Sequence, residues 1–413
     1  MSGKRPKKRR GFERTLGLTF VACLAVLIVV NLITPDRDSS VLENRSLQQA
    51  PTLSLYSITE GSYMDDYESY LSDQFAGRDL WRSVYIAYRR IGGSREENGV
   101  FLGKKKQLLE DIVQMDEELM RTDTDAINSY AGAYPDTNTY MLLVPDAAQI
   151  LPDALPENAS VADQAQMFSQ IQSQLSDTVG WIDGITAMSG ETEEKLYYLT
   201  DHHWTVQGAY RMFLAAAPTL GITDAQEEIY ETYAVSYDFN GSLASTSGFC
   251  LGVDEEIDVM LPLSETVYVV TYVEEQEKGV SLYDTDALDT KDQYMVFMGG
   301  NYSQLEIETG AASEKTLLLV KDSFANSFIQ FLIPYYKEIV VVDPRYYAGT
   351  AADLMQTYEI TDTLFLYSGN TFAEDQNIAS FLTMEASGAE EEIPEDGENP
   401  ADETEESGDA GAI

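Results

Sequence analysis

The two histidines of this 413-residue chain are adjacent, in the sequence Thr200-Asp201-His202-His203-Trp204. Histidine has the side-chain pKa closest to neutrality, so it is the usual general base of enzymes. On an extended segment, residues i and i+2 project to the same face. We therefore predict that Asp201 orients His203 as a catalytic base, whereas His202 points to the other side. The alternative is a polar turn that is packed by Trp204.

A serine at the end of a predicted strand is the candidate nucleophile. The apolar run Thr316-Leu317-Leu318-Leu319-Val320 leads directly into Lys321-Asp322-Ser323. In an open α/β sheet, reactive groups collect beyond the carboxyl ends of the strands, and N–H groups at a helix start stabilise an anion there. Because a serine hydroxyl needs a base to remove its proton, we predict a triad of Ser323, His203 and Asp201. A simple helix N-cap is the alternative role for this serine, and Ser327 is the alternative hydroxyl.

Acyl transfer also needs hydrogen-bond donors for the oxyanion of the tetrahedral intermediate. The sequence Met298-Gly299-Gly300-Asn301 follows a predicted strand over residues 293–297. Gly300 permits close approach of the backbone, and Asn301 offers an amide NH₂ group. We predict that these two residues bind the oxyanion; an ordinary Gly-Asn turn is the alternative.

Such a triad requires no cofactor, and we expect neither a cofactor nor a metal. Catalytic zinc generally takes three protein ligands, and adjacent histidines on a strand diverge. Cys23 lies in an apolar segment at the N-terminus, which leaves Cys250 without an intrachain partner outside it. A disulfide or a cysteine-based zinc site is therefore excluded.

The elements that position these residues are clearest in the C-terminal third of the chain. Apolar β-type runs alternate there with segments of helical length: strands at 316–320, 339–342 and 363–367, and helices at 324–335, 350–358 and 371–383. Continuously apolar strands separated by helices predict an α/β fold whose parallel sheet is covered on both faces. Further upstream we predict strands at 140–144 and 196–199, and a helix that Thr205 caps at its N-terminus.

The N-terminus predicts a membrane anchor. Residues 1–14 carry seven basic side chains and one acidic one, and residues 15–34 form an uncharged apolar run. A bilayer-spanning helix needs about 20 such residues, and a basic flank lies on the cytoplasmic side. We predict an uncleaved signal anchor that leaves the rest of the chain outside the membrane. A cleaved signal peptide is the alternative, but its apolar core runs only about 7–15 residues.

Charge and composition divide the rest of the chain. The net charge is −44, so the chain after residue 14 carries −50, and a body this acidic repels nucleic acids. We predict a stalk over residues 35–60, a domain over 61–384 and a disordered tail over 385–413, where twelve acidic residues stand without a basic one. Within the domain, Leu80, Val84, Tyr88 and Ile91 predict a helix that packs on the domain or on the stalk.

The element Thr200-Asp201-His202-His203-Trp204 resembles the signature of the DHHW proteins of bacterial envelopes. It is also similar to the Asp-x-His-Trp element of the alginate O-acetyltransferase proteins, relatives of the SGNH hydrolases. Lys321-Asp322-Ser323 resembles their Gly-Asp-Ser block, with lysine in place of glycine. The resemblance covers roughly residues 60–383 and includes further segments: Gly77-Arg78, residues 100–104, residues 237–243 and residues 343–347.

This resemblance implies an SGNH-hydrolase-like, flavodoxin-like sheet and a serine acyl-transfer site outside the membrane. Its expected reaction is O-acetylation of an exported or cell-envelope polysaccharide through an acetyl-serine, with acetyl groups supplied by a polytopic membrane acyltransferase. Arg345, Tyr346 and Tyr347 would then line a sugar groove, although tyrosines often serve as core residues. An esterase with the same triad, or a non-catalytic glycan-binding or assembly protein of the envelope, is the alternative.

Overall fold

An eight-stranded sheet organises the protein, which we describe from a computed structural model. The structure describes residues 7–383, apart from residues 191, 193, 227, 250, 254 and 265. The predicted acidic tail from residue 385 and the predicted unpaired Cys250 lie outside the described residues.

The secondary structure is numbered in chain order. The α-helices are α1 (Lys7–Ile33), α2 (Leu55–Glu60), α3 (Ser62–Asp73), α4 (Arg78–Ile91), α5 (Glu117–Ala133), α6 (Ala147–Ile150), α7 (Gln164–Gln174), α8 (Gly184–Met188), α9 (Val206–Ala216), α10 (Ser242–Ser247), α11 (Ala351–Thr357), α12 (Gly369–Glu374) and α13 (Ile378–Phe381). The strands are β1 (Ser39–Ser40), β2 (Arg45–Ser46), β3 (Glu96–Glu97), β4 (Val100–Leu102), β5 (Leu108–Glu110), β6 (Asn138–Val144), β7 (Val179–Ile182), β8 (Tyr230–Phe239), β9 (Glu255–Pro262), β10 (Tyr268–Tyr272), β11 (Glu277–Gly279), β12 (Gln304–Thr309), β13 (Thr316–Lys321), β14 (Glu338–Val342) and β15 (Asp362–Ser368). Short 3₁₀ helices lie at Lys104–Lys106, Pro152–Ala154, Thr285–Asp289, Gln293–Val296, Ser323–Ser327 and Ile329–Phe331.

The large sheet is mostly parallel. Its strands lie in the order β11-β10-β12-β14-β13-β15-β6-β7. The strands from β14 to β7 pair in parallel, whereas β12, β10 and β11 extend one edge in antiparallel pairs. The prediction of an α/β fold with a parallel sheet is confirmed at this level. The antiparallel edge was not predicted.

Both faces of the sheet are buried, as the apolar strands predicted. Along β13, Leu317 and Leu319 pack into one hydrophobic cluster, and Leu318 and Val320 pack into the other. The first cluster includes α9 and the segment that follows Ser323, and the second includes α5, α7, α11, α12 and α13. Because successive strand residues point to opposite faces, each strand contributes to both layers.

Four predicted elements differ in the structure. Residues 324–335 form 3₁₀ turns instead of one helix, and residues 293–296 form a 3₁₀ helix instead of a strand. Residues 196–199 contribute only an isolated bridge, between Tyr197 and Trp204. The helix predicted at 371–383 divides into α12 and α13, because the Asp375 carboxylate accepts from the backbone N–H of Asn377. Short apolar runs do not distinguish strand, helix and turn by periodicity.

The N-terminal elements contact one another beside the domain. Residues 11–33 within α1 form a helix that is long and apolar enough to be a membrane anchor or a signal sequence. Asn31 near its end accepts a hydrogen bond from the backbone N–H of Ala76, at 2.8 Å. Glu43, in the predicted stalk, pairs with Arg78 at 2.8 Å and with Arg82 at 3.0 Å. The predicted stalk is therefore held against α4.

Candidate active site

The structure brings together the three residues predicted as a triad. Ser323 Oγ lies 2.8 Å from His203 Nε2, and His203 Nδ1 lies 2.6 Å from Asp201 Oδ1. Ser323 follows β13 at its carboxyl end, and the histidine precedes α9, whose predicted N-cap Thr205 accepts from the Gly208 N–H. No local constraint joins these elements, so the tertiary fold alone makes the site.

The histidine segment is a turn and not an extended strand. The Asp201 carboxylate accepts from the backbone N–H of His203 at 2.9 Å, as well as from its ring. The two imidazole rings lie side by side, with centroids 3.9 Å apart. The prediction that His202 points to the opposite side is therefore wrong, because strand alternation does not apply to a turn.

Trp204 fixes this turn against the serine segment. Its indole N–H donates to the carbonyl of Phe324 at 3.0 Å and to Ser327 Oγ at 2.9 Å. Ser327 is fully buried, whereas Ser323 is partly exposed. Ser327, the alternative hydroxyl, is thus occupied as a partner of Trp204.

Asp322 anchors the segment that carries Ser323 between two strands. Its buried carboxylate accepts from the backbone N–H of Phe324 at 2.9 Å and from that of Ser368 at 2.8 Å. Ser368 ends β15, which is the neighbour of β13 in the sheet. The backbone around Ser323 is thereby fixed to the carboxyl edge of the sheet.

A turn between β8 and α10 holds the aspartate. The Ser242 N–H donates to Asp201 Oδ2 at 2.8 Å, and Ser242 Oγ lies 2.6 Å from His202 Nδ1. A Cβ atom at Gly241 would lie 2.4 Å from Asp201 Oδ2, so only glycine fits this contact. Residues 237–243 belong to the family resemblance, but nothing in their sequence assigns them to the site.

Glu255 is a second positioning residue that the sequence did not indicate. Its buried carboxylate accepts from the N–H groups of Leu199 at 2.7 Å and of Thr200 at 2.6 Å, and from the Thr200 hydroxyl at 2.6 Å. These contacts order the backbone directly before Asp201. A lone glutamate carries no local signal for this role.

Tyr294 covers the imidazole of His203. Its ring stacks on His203 with centroids 3.7 Å apart and an interplanar angle of 8°. Its hydroxyl lies 3.1 Å from Ser327 Oγ. Because Tyr294 belongs to a segment predicted as a strand, the sequence did not place it here.

The charges around the two imidazoles differ. Burial and the neighbouring His202 lower the pKa of His203 to about 4, against the opposing effect of Asp201. Burial alone would lower the pKa of His202 too, but the carboxylates around it, led by Asp201, outweigh this effect and raise that pKa. Burial would raise the pKa of Asp201, yet the two histidines and its hydrogen bonds hold it well below the ordinary value. At neutral pH, His203 is thus a neutral base beside an ionised Asp201.

The predicted oxyanion residues lie in a glycine turn that contacts the serine segment. Gly299 and Gly300 adopt φ values of 77° and 124°, which favour glycine. Asn301 Oδ1 accepts from Lys321 Nζ at 3.0 Å and from Asn326 Nδ2 at 3.3 Å. The buried Lys321, which takes the place of the expected glycine, therefore links this turn to the end of β13.

Arg345 and His202 line one cavity of about 520 Å³, together with Glu110, Ser368 and Asn370. Two hydrogen bonds to the buried Asp343, at 2.8 and 2.6 Å, fix the Arg345 guanidinium. Tyr346 is exposed, with its ring centroid 5.6 Å from Arg345 Cζ. The cavity is polar and offers both donors and acceptors.

Asp201, His202 and His203 also have ligand atoms within 4.8 Å of one another, a spacing that could hold a metal ion. In the structure these atoms hydrogen bond to one another, to Ser323 and to Ser242. A metal bound there would replace the contact between the serine and its base.

Comparisons with known proteins agree with this architecture. A family model described as DHHW protein matches residues 124–342. The structure is similar to that of a DHHW family protein from Eubacterium siraeum, with a TM-score of 0.59 and 21% identity over 70% of this chain and 95% of that one. It is also similar to Bacillus cereus PatB1 with a sulfonyl adduct, with a TM-score of 0.57 and 20% identity over 68% and 99%.

A more distant likeness is to the O-acetyltransferase domain of Pseudomonas putida AlgJ, with a TM-score of 0.45 and 13% identity over 68% of this chain and 95% of that one. Among curated proteins, no sequence matches this chain. At these identities, the structural likenesses to the DHHW family protein and to PatB1 establish the fold.

Proposed function

Since the chain belongs to the DHHW protein family, we propose that it is a serine acyl-transfer enzyme that O-acetylates an exported or cell-envelope polysaccharide. The observation that carries this proposal is the contact of 2.8 Å between Ser323 Oγ and His203 Nε2. His203 has a second contact, to an ionised aspartate, which is the arrangement that serine acyl-transfer enzymes use. The lowered pKa of this imidazole keeps it in the neutral form that a general base requires at neutral pH.

In the first half of the reaction, Ser323 Oγ attacks the acetyl carbonyl carbon while its proton passes to His203 Nε2. Asp201 accepts the Nδ1–H, which selects the required tautomer and stabilises the imidazolium. We propose that the oxyanion accepts hydrogen bonds from the backbone N–H of Ser323, from the backbone of Gly300 and from the amide NH₂ group of Asn301. When the intermediate collapses, the leaving group takes the proton from His203, and Ser323 carries the acetyl group.

In the second half, a sugar hydroxyl attacks the acetyl-serine and gives its proton to the same imidazole. The serine then leaves with that proton and the acetyl ester forms on the sugar. We place the acceptor in the cavity of His202 and Arg345, because its mixed donors and acceptors suit sugar hydroxyls. Tyr346 adds an exposed aromatic face beside Arg345 for the same ligand.

The apolar helix α1 supports a proposal for the location of the enzyme. We propose that this helix is an uncleaved anchor and that an SGNH-hydrolase-like domain over residues 61–384 lies outside the membrane. The acetyl groups would come from a polytopic membrane acyltransferase. An esterase would use the same three residues, since transfer and hydrolysis differ only in whether a sugar or water reaches the acetyl-serine.

The test is to incubate the full-length protein with 4-nitrophenyl acetate and to locate the adduct by peptide mass spectrometry. We expect one acetyl group on Ser323 and none in the Ser323→Ala variant. A sulfonyl fluoride, which reacts with activated serine hydroxyls, should label the same residue. If a correctly folded protein takes up neither reagent at Ser323, the acyl-transfer proposal fails and the binding-protein alternative gains support.

Adding oligosaccharide acceptors to the same assay separates the two enzyme classes. A transferase should form acetylated oligosaccharide, and the rate of free acetate release should fall. An esterase should release acetate at a rate that the acceptors leave unchanged.

A further inference from the structure

Helix α4 exposes its apolar face to solvent. The side chains of this face recur at helical spacing and are between 51% and 87% exposed: Leu80, Trp81, Val84, Tyr85, Tyr88 and Ile91. A surface helix of a soluble domain normally turns its apolar stripe toward the core, and the apolar spacing predicted that this face packs on the domain or on the stalk. Ile86 is the buried apolar residue of the opposite face.

The arginines of α4 hold it in this orientation. Arg78 and Arg82 both pair with the buried carboxylate of Glu43. Arg82 also donates to the carbonyls of Ser245 at 2.9 Å and Thr246 at 2.7 Å. These contacts bind the polar face to the domain, so the helix cannot rotate to bury its apolar face without losing them. A contiguous exposed apolar surface of this kind marks an interaction site.

The position of α4 indicates what covers this surface. Ala76, two residues before α4 begins, donates its N–H to Asn31 in the last turns of α1. Arg37 N–H donates to Gln74 Oε1 at 2.9 Å, which fixes the next part of the chain to the same corner. If α1 spans the bilayer, α4 begins where that helix leaves it.

The composition of α4 matches a membrane surface. Trp81, Tyr85 and Tyr88 are the residue types that gather at the boundary between headgroups and acyl chains. Helix α4 carries four basic side chains and one acidic side chain, in a chain whose net charge is −44. A positive, amphipathic helix with aromatic and aliphatic side chains on one face is typical of helices that lie in the membrane interface.

We propose that α4 lies in the plane of the membrane interface and inserts its apolar face between lipid headgroups. The inference rests on the proposed anchoring by α1, and it adds a second, lateral attachment. Two attachments fix the orientation of the domain on the membrane, whereas a single helix and a stalk would leave it free to rotate.

The fluorescence emission of Trp81 reports on this insertion, because Trp81 is the most exposed of the three tryptophans and Trp204 is fully buried. The full-length protein is reconstituted in vesicles of phosphatidylcholine and phosphatidylglycerol, with or without phosphatidylcholine brominated at acyl carbons 6 and 7. We expect the brominated lipid to reduce tryptophan emission, and we expect this loss to disappear in the Trp81→Phe variant. Replacing Val84 and Tyr88 together by glutamate should also remove the quenching. Val280 lies outside α4 and is 79% exposed, so the control Val280→Glu should leave the quenching unchanged.

Flotation of the same vesicles separates the two levels of the proposal. A protein that fails to float with the lipid contradicts anchoring by α1. A protein that floats but whose Trp81 emission is equal with both lipids overturns the interface helix and leaves the anchor intact. Crosslinks between the apolar faces of α4 in two chains, with no quenching by the lipid, would overturn the interface helix. The surface would then be covered by a second copy of the chain.

Discussion

His202 and His203 lie side by side with ring centroids 3.9 Å apart, yet only His203 reaches Ser323. The backbone N–H and ring N–H of His203 both donate to Asp201, whereas the His202 ring is held by Ser242 and lines the neighbouring cavity. The turn therefore gives two chemically identical side chains different environments. The environment of His203 suits a base, and His202 lines the cavity in which we propose that the acceptor binds.

Replacing each histidine separately tests this division. We expect His203→Ala to reduce hydrolysis of 4-nitrophenyl acetate to near the background of Ser323→Ala, because among the described residues no base other than His203 hydrogen bonds to the serine hydroxyl. His202→Ala should retain more of this activity and lose chiefly transfer to oligosaccharides. Initial rates with and without acceptor measure both effects. Equal loss of ester cleavage from both variants, with unchanged circular dichroism, would contradict the assignment.

Much of the fold was predictable from the sequence because the apolar strands are long and continuous. The strands predicted at 316–320, 339–342 and 363–367 all appear, since runs this apolar must be buried on both faces. The 3₁₀ turns after Ser323 were not predictable. Side chains there are mostly buried, the polar Asn326 and Ser327 included, and tertiary packing, not local preference, selects the tight turns.

The proximity of Ser323, His203 and Asp201 was predictable because Ser323 follows an apolar strand and His203 precedes a capped helix. The orientation of His202 was not, because it depends on an Asp201 side chain that folds back on the backbone two residues later. Glu255 and Tyr294 reach the site from segments distant in the chain. Contacts of that kind leave no pattern in sequence spacing.

Asp201→Asn should lower kcat by about 10⁴-fold while the fold persists, because an amide cannot both accept from His203 Nδ1–H and stabilise the imidazolium. The Ser242 N–H would also face one amide group in place of a carboxylate oxygen. Acetylation of Ser323 followed by mass spectrometry gives the rate. A loss under tenfold would show that the aspartate does not orient the base.

Gly241→Ala tests how closely the turn after β8 must approach the aspartate. Its Cβ would lie 2.4 Å from Asp201 Oδ2, so Asp201 has to move, and a displacement of about 1 Å costs about 100-fold in rate. Gly132→Ala, in α5, is the matched control, because a Cβ atom added at Gly132 would meet no neighbouring atom within 4 Å. The control should keep full activity and gain about 1 kcal/mol in free energy of unfolding. Equal activities of the two variants would contradict the proposed positioning.

Retention of the N-terminus tests the anchor. If α1 is an uncleaved anchor, the mature protein isolated from membranes should retain residues 15–34, because the apolar run has the length of a bilayer span. Intact-mass measurement and N-terminal sequencing give the result. A mature chain that starts after residue 30 would instead identify residues 15–34 as a removed signal sequence.

The pH dependence of acylation tests the electrostatics of the histidine pair. Transfer requires neutral His203, whose pKa is about 4, so the rate should be constant at neutral pH and fall about tenfold per unit below that value. His202 contributes to lowering this pKa, so in His202→Gln the pKa of His203 should rise and the fall in rate should begin at higher pH. Ester cleavage by both proteins, followed between pH 3 and 8 under conditions where both stay folded, gives the two profiles. A profile that His202→Gln leaves in place, or moves to lower pH, would show that the two imidazoles do not interact as their proximity indicates.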